Sequence, residues 1–322
     1  AMVGDDLSYA VAGAGGQKLT PLILQSGIWI VTLDTVKLPA GGEADRKLKL
    51  VLSGGGPEVM RRAVDKALGR TKPAGTLSGN VVDSKGTPVV GARVHVASTD
   101  DKTSITRAIS GAGGAYTAAL KAGSYKVSAA ADGHARSKGE TISITATGLT
   151  KHLELQGSGA FTFTVADPKS SPIPAKLTFK PKTFTPYPVT YGEQAYLGGA
   201  SRVVYSATGK GTVKLPPGEY TVTASRGLEY EIEQKTVTLT DGGTQTAAFS
   251  LKRSVDTTGY LCGDFHIHAR WSYDASDLYE LKVAAMAAAG LDVPVCSEHD
   301  YIADFNPTLA KLGMQKWMYS LI

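Results

Sequence analysis

Two short motifs contain the residues that could do chemistry in this sequence. GDFHIHARWSYD contains two histidines and an aspartate, and SEHD contains a third histidine. Imidazole nitrogens and carboxylate oxygens are ligands that proteins offer to zinc, manganese and iron. We therefore predict a divalent metal site, with zinc as the first choice and manganese or iron as alternatives. Its predicted ligands are His266, His268, Asp274 and His299.

The two motifs lie at the ends of predicted strands that flank a predicted helix. YLCGDFHIH and LDVPVCSEHD are the strands, and SDLYELKVAAMAAAG (276–290) is the helix. Ser276 is a candidate helix cap, and Leu278 and Leu281 are expected to face inward together with Met286. Strand, helix and strand predict a βαβ unit with parallel strands.

This arrangement brings the candidate ligands to one edge of a sheet. Side chains alternate along a strand, so His266 and His268 point to the same side. A parallel neighbour lies about 4.8 Å away, so His299 can approach both. Glu298 adjoins His299 and either binds metal or fixes an imidazole tautomer. Arg270 could bind an anionic substrate group, with a surface salt bridge as the alternative.

The sequence resembles the opening of the PHP (polymerase and histidinol phosphatase) superfamily. The resemblance lies in H-x-H, the aspartate that follows it and S-E-H. GDFHIH after β-sandwiches looks like its CehA/McbA-type branch. The resemblance implies a (β/α)7 barrel with two or three metals that hydrolyses phosphoesters or, in this branch, carbamate esters. It implies one metal for His266 and His268 and another for Asp274 and His299.

The sequence departs from that family pattern in three respects. Glu298 stands where the family has an aspartate, and Asp274 lies one residue late. The family's remaining ligands come from later strands, so we expect them beyond Ile322. The segment from 254 to 322 is therefore expected to be the truncated beginning of the barrel, and a second chain that completes it is an alternative.

Most of the remaining sequence consists of short stretches in which apolar and polar residues alternate, separated by turns that contain glycine. GTLSGNVVDSKGTPVVGARVHVAS (75–98) and GAGGAYTAALKAGSYKVSAAADGH (111–134) resemble the carboxypeptidase regulatory-like domain, a seven-stranded, transthyretin-like β-sandwich. PPGEYTV (216–222) echoes KAGSYKV (121–127), which predicts a second sandwich as a weak internal repeat.

We therefore predict a mainly β, multidomain chain of tandem β-sandwiches followed by the opening βαβ part of a barrel. The expected regions are the end of a β domain with a connecting helix (1–72), the regulatory-like sandwich (73–156), a second sandwich (157–253) and the start of the PHP-type domain (254–322). In the connecting helix, Val59, Met60 and Val64 are expected on one face.

Composition excludes several classes of protein. The net charge is +5, but no block of like charges favours nucleic-acid binding. No apolar run reaches the roughly 18 residues of a membrane span. The only cysteines, Cys262 and Cys296, do not form a disulfide scaffold and are expected to be buried thiols. Tandem sandwiches of this kind favour a periplasmic or extracellular location.

The leading hypothesis is a metal-dependent hydrolase of a small-molecule ester, carbamate or phosphoester. The metals would activate water, and Arg270 and Glu298 are the candidate catalytic side chains. The alternative is a non-catalytic β-sandwich protein that binds a surface or a glycan, with an inert PHP-type segment.

Overall fold

The computed structural model describes residues 2–3, 8–14, 17–23, 29–54, 56–70, 75–183, 202–275 and 277–322. The chain is mainly β and forms two compact units, with a sequence boundary between Gly157 and Ser158. Within the described ranges, no helix combines the length and the hydropathy needed to cross a membrane. The prediction of a mainly β chain with several sandwich-like sheets is confirmed.

The first part of the chain is a small sheet covered by one helix. Its elements are β1 (Met2–Val3), β2 (Ser8–Gly13), β3 (Leu19–Ile23), β4 (Trp29–Leu33), β5 (Leu48–Ser53) and α1 (Pro57–Ala67). β1, β2 and β5 form one sheet, and β3 pairs with β4. Ala10 and Val51 are buried against Met60. The predicted helix face is confirmed at Met60 and Val64 but wrong at Val59, which is exposed because the buried stripe starts at Met60.

The first β-sandwich consists of two facing sheets. Its strands are β6 (Gly75–Val82), β7 (Arg93–Ala97), β8 (Ser104–Ile109), β9 (Ala115–Leu120), β10 (Gly123–Ala130), β11 (Glu140–Ile144), β12 (Leu149–Thr150) and β13 (Leu153–Glu154). One sheet has the order β11–β10–β7–β8. In the other, β6 pairs antiparallel with β9 and parallel with β12 and β13. Leu77, Val81, Val94, Val96 and Val127 are among its fully buried core residues.

The second β-sandwich has its own strands and its own core. The strands are β14 (Gly159–Ala166), β15 (Ala175–Pro181), β16 (Arg202–Ser206), β17 (Lys210–Leu215), β18 (Gly218–Ser225), β19 (Glu233–Leu239) and β20 (Thr244–Ser250). The sheet orders are β16–β15–β18–β19 and β17–β14–β20. Phe161, Phe163 and Val165 alternate along β14 and are all buried, which is the pattern of a strand with one face on the core.

The strand order of the two sandwiches is the same, except that the two short strands β12 and β13 of the first sandwich stand where the second has the single strand β20. In each, the last strand pairs parallel with the first. The same turn also recurs after the first strand. The Oδ1 of Asp83 accepts hydrogen bonds from the backbone N–H of Lys85 and Thr87, at 2.9 and 2.8 Å. The Oδ1 of Asp167 accepts the equivalent pair at the same two distances, so the second sandwich is a structural repeat of the first.

The tyrosines of the two echoing motifs make the same bond. The hydroxyl of Tyr125 donates to the carbonyl of Lys121 at 3.0 Å. The hydroxyl of Tyr220 donates to the carbonyl of Pro216 at 2.7 Å. The internal repetition predicted from the two motifs is therefore present in the fold.

The last part of the chain is a strand–helix–strand unit with a second helix. Its elements are β21 (Gly263–Ile267), α2 (Tyr279–Ala288), β22 (Val293–Cys296) and α3 (Asn306–Lys311). β21 and β22 are parallel, as predicted, and Val295 forms a further parallel bridge with Leu321. Val283, Met286 and Phe305 are buried in the core of this segment.

Helix α2 differs from its prediction at its start and on its buried face. It begins at Tyr279, and the predicted cap Ser276 lies outside the described residues. Leu278 and Leu281 are exposed, so the inward face predicted for them is wrong, whereas Met286 is buried as predicted. The buried face instead follows Val283 and its neighbours, because small alanines let the helix pack closely on that side.

One arginine joins this segment to the second sandwich. Arg226, directly after β18, is only 6% exposed. Its Nη1 donates to the carbonyls of Pro174 and Ala287, at 3.2 and 2.7 Å. Its guanidinium lies 4.3 Å from the ring centroid of Trp317. Burial lowers the pKa of Arg226, but an arginine stays charged at neutral pH.

Candidate metal centre

Two parallel strand ends bring the histidine motifs together. β21 ends at Ile267 and β22 at Cys296, and these two residues are register partners. The backbone N–H of Ile267 donates to Ser297 Oγ at 2.9 Å, and the N–H of Ser297 donates to the carbonyl of Ile267 at 3.0 Å. His268 and His299 follow these bonds, so both imidazoles lie at the same sheet edge.

Asp274 lies between these two imidazoles. Its carboxylate oxygens are 3.1 and 3.2 Å from His268 Nδ1, and Oδ2 is 3.2 Å from His299 Nε2. The ring centroids of His268 and His299 are 4.3 Å apart. One nitrogen from each histidine and one oxygen from Asp274 all lie within 4.8 Å of one another. Three of the four predicted ligands therefore form one group.

His266 lies beside this group but outside it. Its ring centroid is 4.8 Å from that of His268, as expected for residues that alternate along a strand. The side chain is exposed, and His266 does not belong to the three-residue group. The role predicted for it as a metal ligand therefore stays a prediction. On the other side, Tyr273 stacks on His299 with 4.6 Å between the ring centroids.

Glu298 holds the loop that carries Asp274. Its Oε2 accepts hydrogen bonds from the Ser272 hydroxyl and, at 3.0 Å, from the backbone N–H of Ala269. Its Oε1 accepts the Tyr279 hydroxyl at 2.8 Å. Ser272 Oγ in turn accepts the backbone N–H of His299 at 2.9 Å. These are the contacts of a positioning residue, and the catalytic role of Glu298 stays a prediction.

Both carboxyl groups of the site have pKa values below the ordinary range. Burial raises the pKa of Asp274, but the hydrogen bonds to His268 and His299 outweigh it. Burial also raises the pKa of Glu298, and the bonds from Ser272 and Ala269 outweigh it in the same way. Both groups are therefore ionised at neutral pH, which is the form in which a carboxylate attracts a cation.

The three-residue group fits a divalent transition metal in ligand type and spacing. Two imidazole nitrogens and one carboxylate oxygen form a ligand set that zinc and iron enzymes use, and they leave further coordination positions open. Ligand atoms about 2.1 Å from a tetrahedral zinc lie about 3.4 Å from each other. The observed distances from Asp274 to the two histidine nitrogens are 3.1 and 3.2 Å. The atoms of the whole group lie within 4.8 Å of one another, so a bound ion would draw the ligand atoms closer together.

The other chemistry-bearing residues lie outside the group. Arg270 is exposed, with its guanidinium 4.7 Å from the ring centroid of Trp271, and its role in substrate binding stays a prediction. Cys296 is a buried free thiol, as predicted. The burial predicted for Cys262 is wrong, because the residue precedes β21 and is exposed there.

Sequence reasoning missed three residues that shape the site. The hydroxyls of Ser272 and Tyr279 both donate hydrogen bonds to the carboxylate of Glu298, and the ring of Tyr273 stacks on one face of His299. All three lie in the connection between β21 and α2 or at the start of α2. Their position close to the strand ends indicates that they lie near the site. Their hydrogen-bond partners, however, lie 19 to 27 residues away in the sequence, so the sequence does not identify those partners.

Residues 76–156 match the family model of the carboxypeptidase regulatory-like domain. The first sandwich is therefore a domain of that type, as its glycine and tyrosine motifs predicted. The match does not extend to the second sandwich or to residues 254–322. The finer domain boundaries and the PHP-type barrel stay predictions. No curated protein matches the chain.

Several solved structures are similar to parts of this chain. The Bacillus anthracis TIE protein is 13% identical, with 79% of this chain and 44% of that chain covered and a TM-score of 0.25. The shaft pilin SpaA from Lactobacillus rhamnosus GG is 10% identical, with coverages of 58% and 99% and a TM-score of 0.33. GBS52, the minor pilin of Streptococcus agalactiae, is 13% identical, with 56% of this chain and 97% of that chain covered and a TM-score of 0.32. The TM-scores are low, so these similarities define no shared overall fold.

Proposed function

We propose that the segment from 254 to 322 binds a divalent metal and belongs to a metal-dependent hydrolase of phosphoester, ester or carbamate substrates. The observation that carries this proposal is the convergence of His268 and His299 on the carboxylate of Asp274, at 3.1 and 3.2 Å. The resemblance of the two motifs to the opening of the PHP superfamily supports hydrolysis as the reaction and a (β/α)7 barrel as the complete domain.

The residues of the site divide into ligands and supports. A divalent metal, when bound, would supply water activation and polarisation of the substrate's carbonyl or phosphoryl oxygen. His268, Asp274 and His299 would hold the ion, while Glu298 fixes the loop between Ala269 and Ser272. His266 and Arg270 are both exposed at this edge. We propose His266 as a ligand of a second ion and Arg270 as the contact for an anionic substrate group.

The metal content of the dialysed protein tests this proposal. We expect at least one equivalent of zinc, manganese or iron in the wild-type chain, measured by elemental mass spectrometry. His268→Ala/His299→Ala should lose it, because only one of the three ligands remains. His152→Ala is the control, since His152 accepts a hydrogen bond from the backbone N–H of Asn80 and lies outside the group. Equal metal in all three proteins, or none in the wild type, would contradict the site.

Hydrolysis is tested separately with chromogenic esters. The metal-loaded chain is assayed with p-nitrophenyl phosphate and p-nitrophenyl acetate, beside the double histidine variant. Turnover that needs both histidines supports a hydrolase. Metal binding without turnover would leave a metal site and remove the hydrolase proposal for this chain.

A second candidate function is a non-catalytic β-sandwich protein that binds a glycan or a cell surface. The match of residues 76–156 to a regulatory-like domain favours it, and the comparisons support it better than they support a hydrolase. A periplasmic or extracellular location is proposed for either function. A glycan array probed with the labelled chain tests the second function, and saturable binding without ester turnover is its expected result.

A further inference from the structure

The first unit contains a cavity of about 780 Å³ that the metal site does not use. It lies where α1 packs beside β7, β8 and β9. Three arginines line it, namely Arg62, Arg93 and Arg107. Val59 and Ile109 give it an apolar wall. A cavity with several guanidinium groups and an apolar side suits a ligand with one anionic end.

Two of these arginines are paired with carboxylates. Arg62 Nε lies 3.0 Å from an oxygen of Glu58. Arg93 Nη2 lies 3.0 Å from an oxygen of Asp132. Their charges are therefore largely balanced within the protein. The carboxylate of Glu58 is also fixed, because it accepts the backbone N–H of Ala119 at 3.0 Å.

Arg107 differs from the other two. Its Nε is buried and has no hydrogen-bond partner in the part of the chain that the structure describes. Within the same residues, no carboxylate forms an ion pair with its guanidinium. β8 pairs Arg107 with His95 of β7, and Arg93 lies opposite Ile109. Because positions two apart share a face, Arg107 and Ile109 lie on the same side of the sheet as Arg93.

We propose that this cavity binds a small organic molecule through a phosphate or carboxylate group held by Arg107. A guanidinium offers a planar fork of donors that fits either group bidentately. Arg62 and Arg93 are already paired with carboxylates, so Arg107 is the charged anchor, and Val59 and Ile109 contact the apolar body of the ligand. This ligand site is independent of the metal centre.

Calorimetric titration of the full chain with phenyl phosphate tests the proposal. The wild type should show saturable binding, and Arg107→Gln should weaken it at least ten-fold because a neutral amide offers fewer donors. Arg70→Gln is the matched control, since Arg70 is an exposed arginine paired with Asp65 outside the cavity. Unchanged affinity in Arg107→Gln, or no binding of any probe to the wild type, would overturn the proposal.

Two further probes identify what the site recognises. Inorganic phosphate tests the anionic group alone, and benzoate tests a carboxylate on the same ring. Tighter binding of phenyl phosphate than of inorganic phosphate indicates that the apolar wall contributes. Tighter binding of benzoate would assign the site to carboxylates. If each of the three probes bound to Arg107→Gln with the same affinity as to the wild type, the guanidinium would not be the anchor.

Thermal unfolding separates a ligand-binding role from a structural one. Arg107→Leu removes a buried donor that has no partner, so the ligand-free variant should melt no lower than the wild type. Phenyl phosphate should raise the Tm of the wild type and leave that of Arg107→Leu unchanged. A marked fall in Tm with a retained ligand response would assign Arg107 to the stability of the sandwich and overturn the proposal.

Discussion

The two β-sandwiches share their strand order and two hydrogen-bonded turns, yet different residues follow the same strand in each. Counted from the glycine of the G-x-Y-x-V motif, Ala131 in the first sandwich occupies the position that Arg226 has in the second. Ala131 packs against its own core. Arg226 instead donates to Ala287 of the next segment, at 2.7 Å. The same position of the repeated framework thus packs on the core of its own sandwich in the first repeat and supports a neighbouring element in the second.

A second contrast concerns how each sandwich uses a buried arginine. Arg226 has carbonyl acceptors on two elements and an aromatic ring against its guanidinium. Each of the two arginines has a buried Nε without a partner among the described residues, but the Nη1 of Arg226 is bonded, whereas no described hydrogen bond or ion pair involves the guanidinium of Arg107, which lines a cavity. The first arginine is therefore tied to the structure around it, and the second is the one that we propose for a ligand. The partners of an arginine, rather than its presence in the sequence, determine its role.

The largest effect is expected at Arg226. Arg226→Ala removes a donor from the carbonyls of Pro174 and Ala287, of which Ala287 keeps the backbone N–H of Gly290, and it removes the contact with Trp317. We expect a loss of about 3 to 5 kcal/mol in the free energy of unfolding, because a buried charge-assisted network is broken. Denaturant titration with tryptophan fluorescence measures it. Lys252→Ala is the control, because Lys252 lies in an exposed ion pair of 3.9 Å and its loss should change the free energy of unfolding little. If Lys252→Ala lost as much stability as Arg226→Ala, the contrast between Arg226 and Ala131 would not hold.

The next effect is expected at Gly227, the neighbour of Arg226. Gly227 has a φ of +52° and its N–H donates to the carbonyl of Ala288 at 3.0 Å. A Cβ there would collide with the carbonyl of Ala289, so Gly227→Ala should cost about 2 to 3 kcal/mol. Gly259→Ala is the control, since Gly259 has a φ of +86° and open space around it. Its cost should be about 1 kcal/mol, and equal costs by calorimetry would rule out the collision.

A smaller and equal effect is expected at the repeated aspartate turn. Asp83→Ala and Asp167→Ala each remove two hydrogen bonds from backbone N–H groups. Each should lower the free energy of unfolding of its own sandwich by about 1 to 2 kcal/mol at neutral pH. Calorimetry of the two unfolding transitions checks this. A clear difference between the two variants would show that the turns are alike in geometry but not in energy.

The Asp83 contribution should also depend on pH. The backbone hydrogen bond from Thr87 lowers the pKa of Asp83, burial opposes this, and the bond from Lys85 adds to the lowering. A carboxyl whose pKa is lowered by folding stabilises the protein above its unfolded pKa of about 3.9. That stabilisation disappears as pH falls through the folded pKa. The difference in stability between wild type and Asp83→Ala should therefore shrink below about pH 4.

The smallest effect is expected at the two tyrosines. Tyr220→Phe removes the bond to Pro216 from a buried position and should cost about 1 kcal/mol. Tyr125→Phe removes the equivalent bond to Lys121, where water can replace the hydroxyl, and should cost about 0.5 kcal/mol. Thermal unfolding of both variants measures the ratio of the two stability losses. A larger cost at Tyr125 would contradict the account based on burial.

Much of this fold was predictable because it rests on local patterns. Alternation along β14, the glycines before Tyr125 and Tyr220, and the strand–helix–strand order around His268 all follow from short-range preferences. The family match to residues 76–156 confirms the first sandwich. The buried face of α2 was predicted correctly at Met286 but not at Leu278 and Leu281, because alanines and leucines give similar periodic patterns and only packing selects the face.

The sequence by itself determined which residues could meet at the metal site. H-x-H and S-E-H stand at the ends of neighbouring parallel strands, and strand geometry requires His268 and His299 to approach one another. The tertiary structure decided what each residue does there. It placed Asp274 between the two imidazoles and tied Glu298 to the connecting loop. The contacts of Asp274 with His299 and of Glu298 with Ala269 join residues 25 and 29 positions apart, and no local pattern specifies such partners.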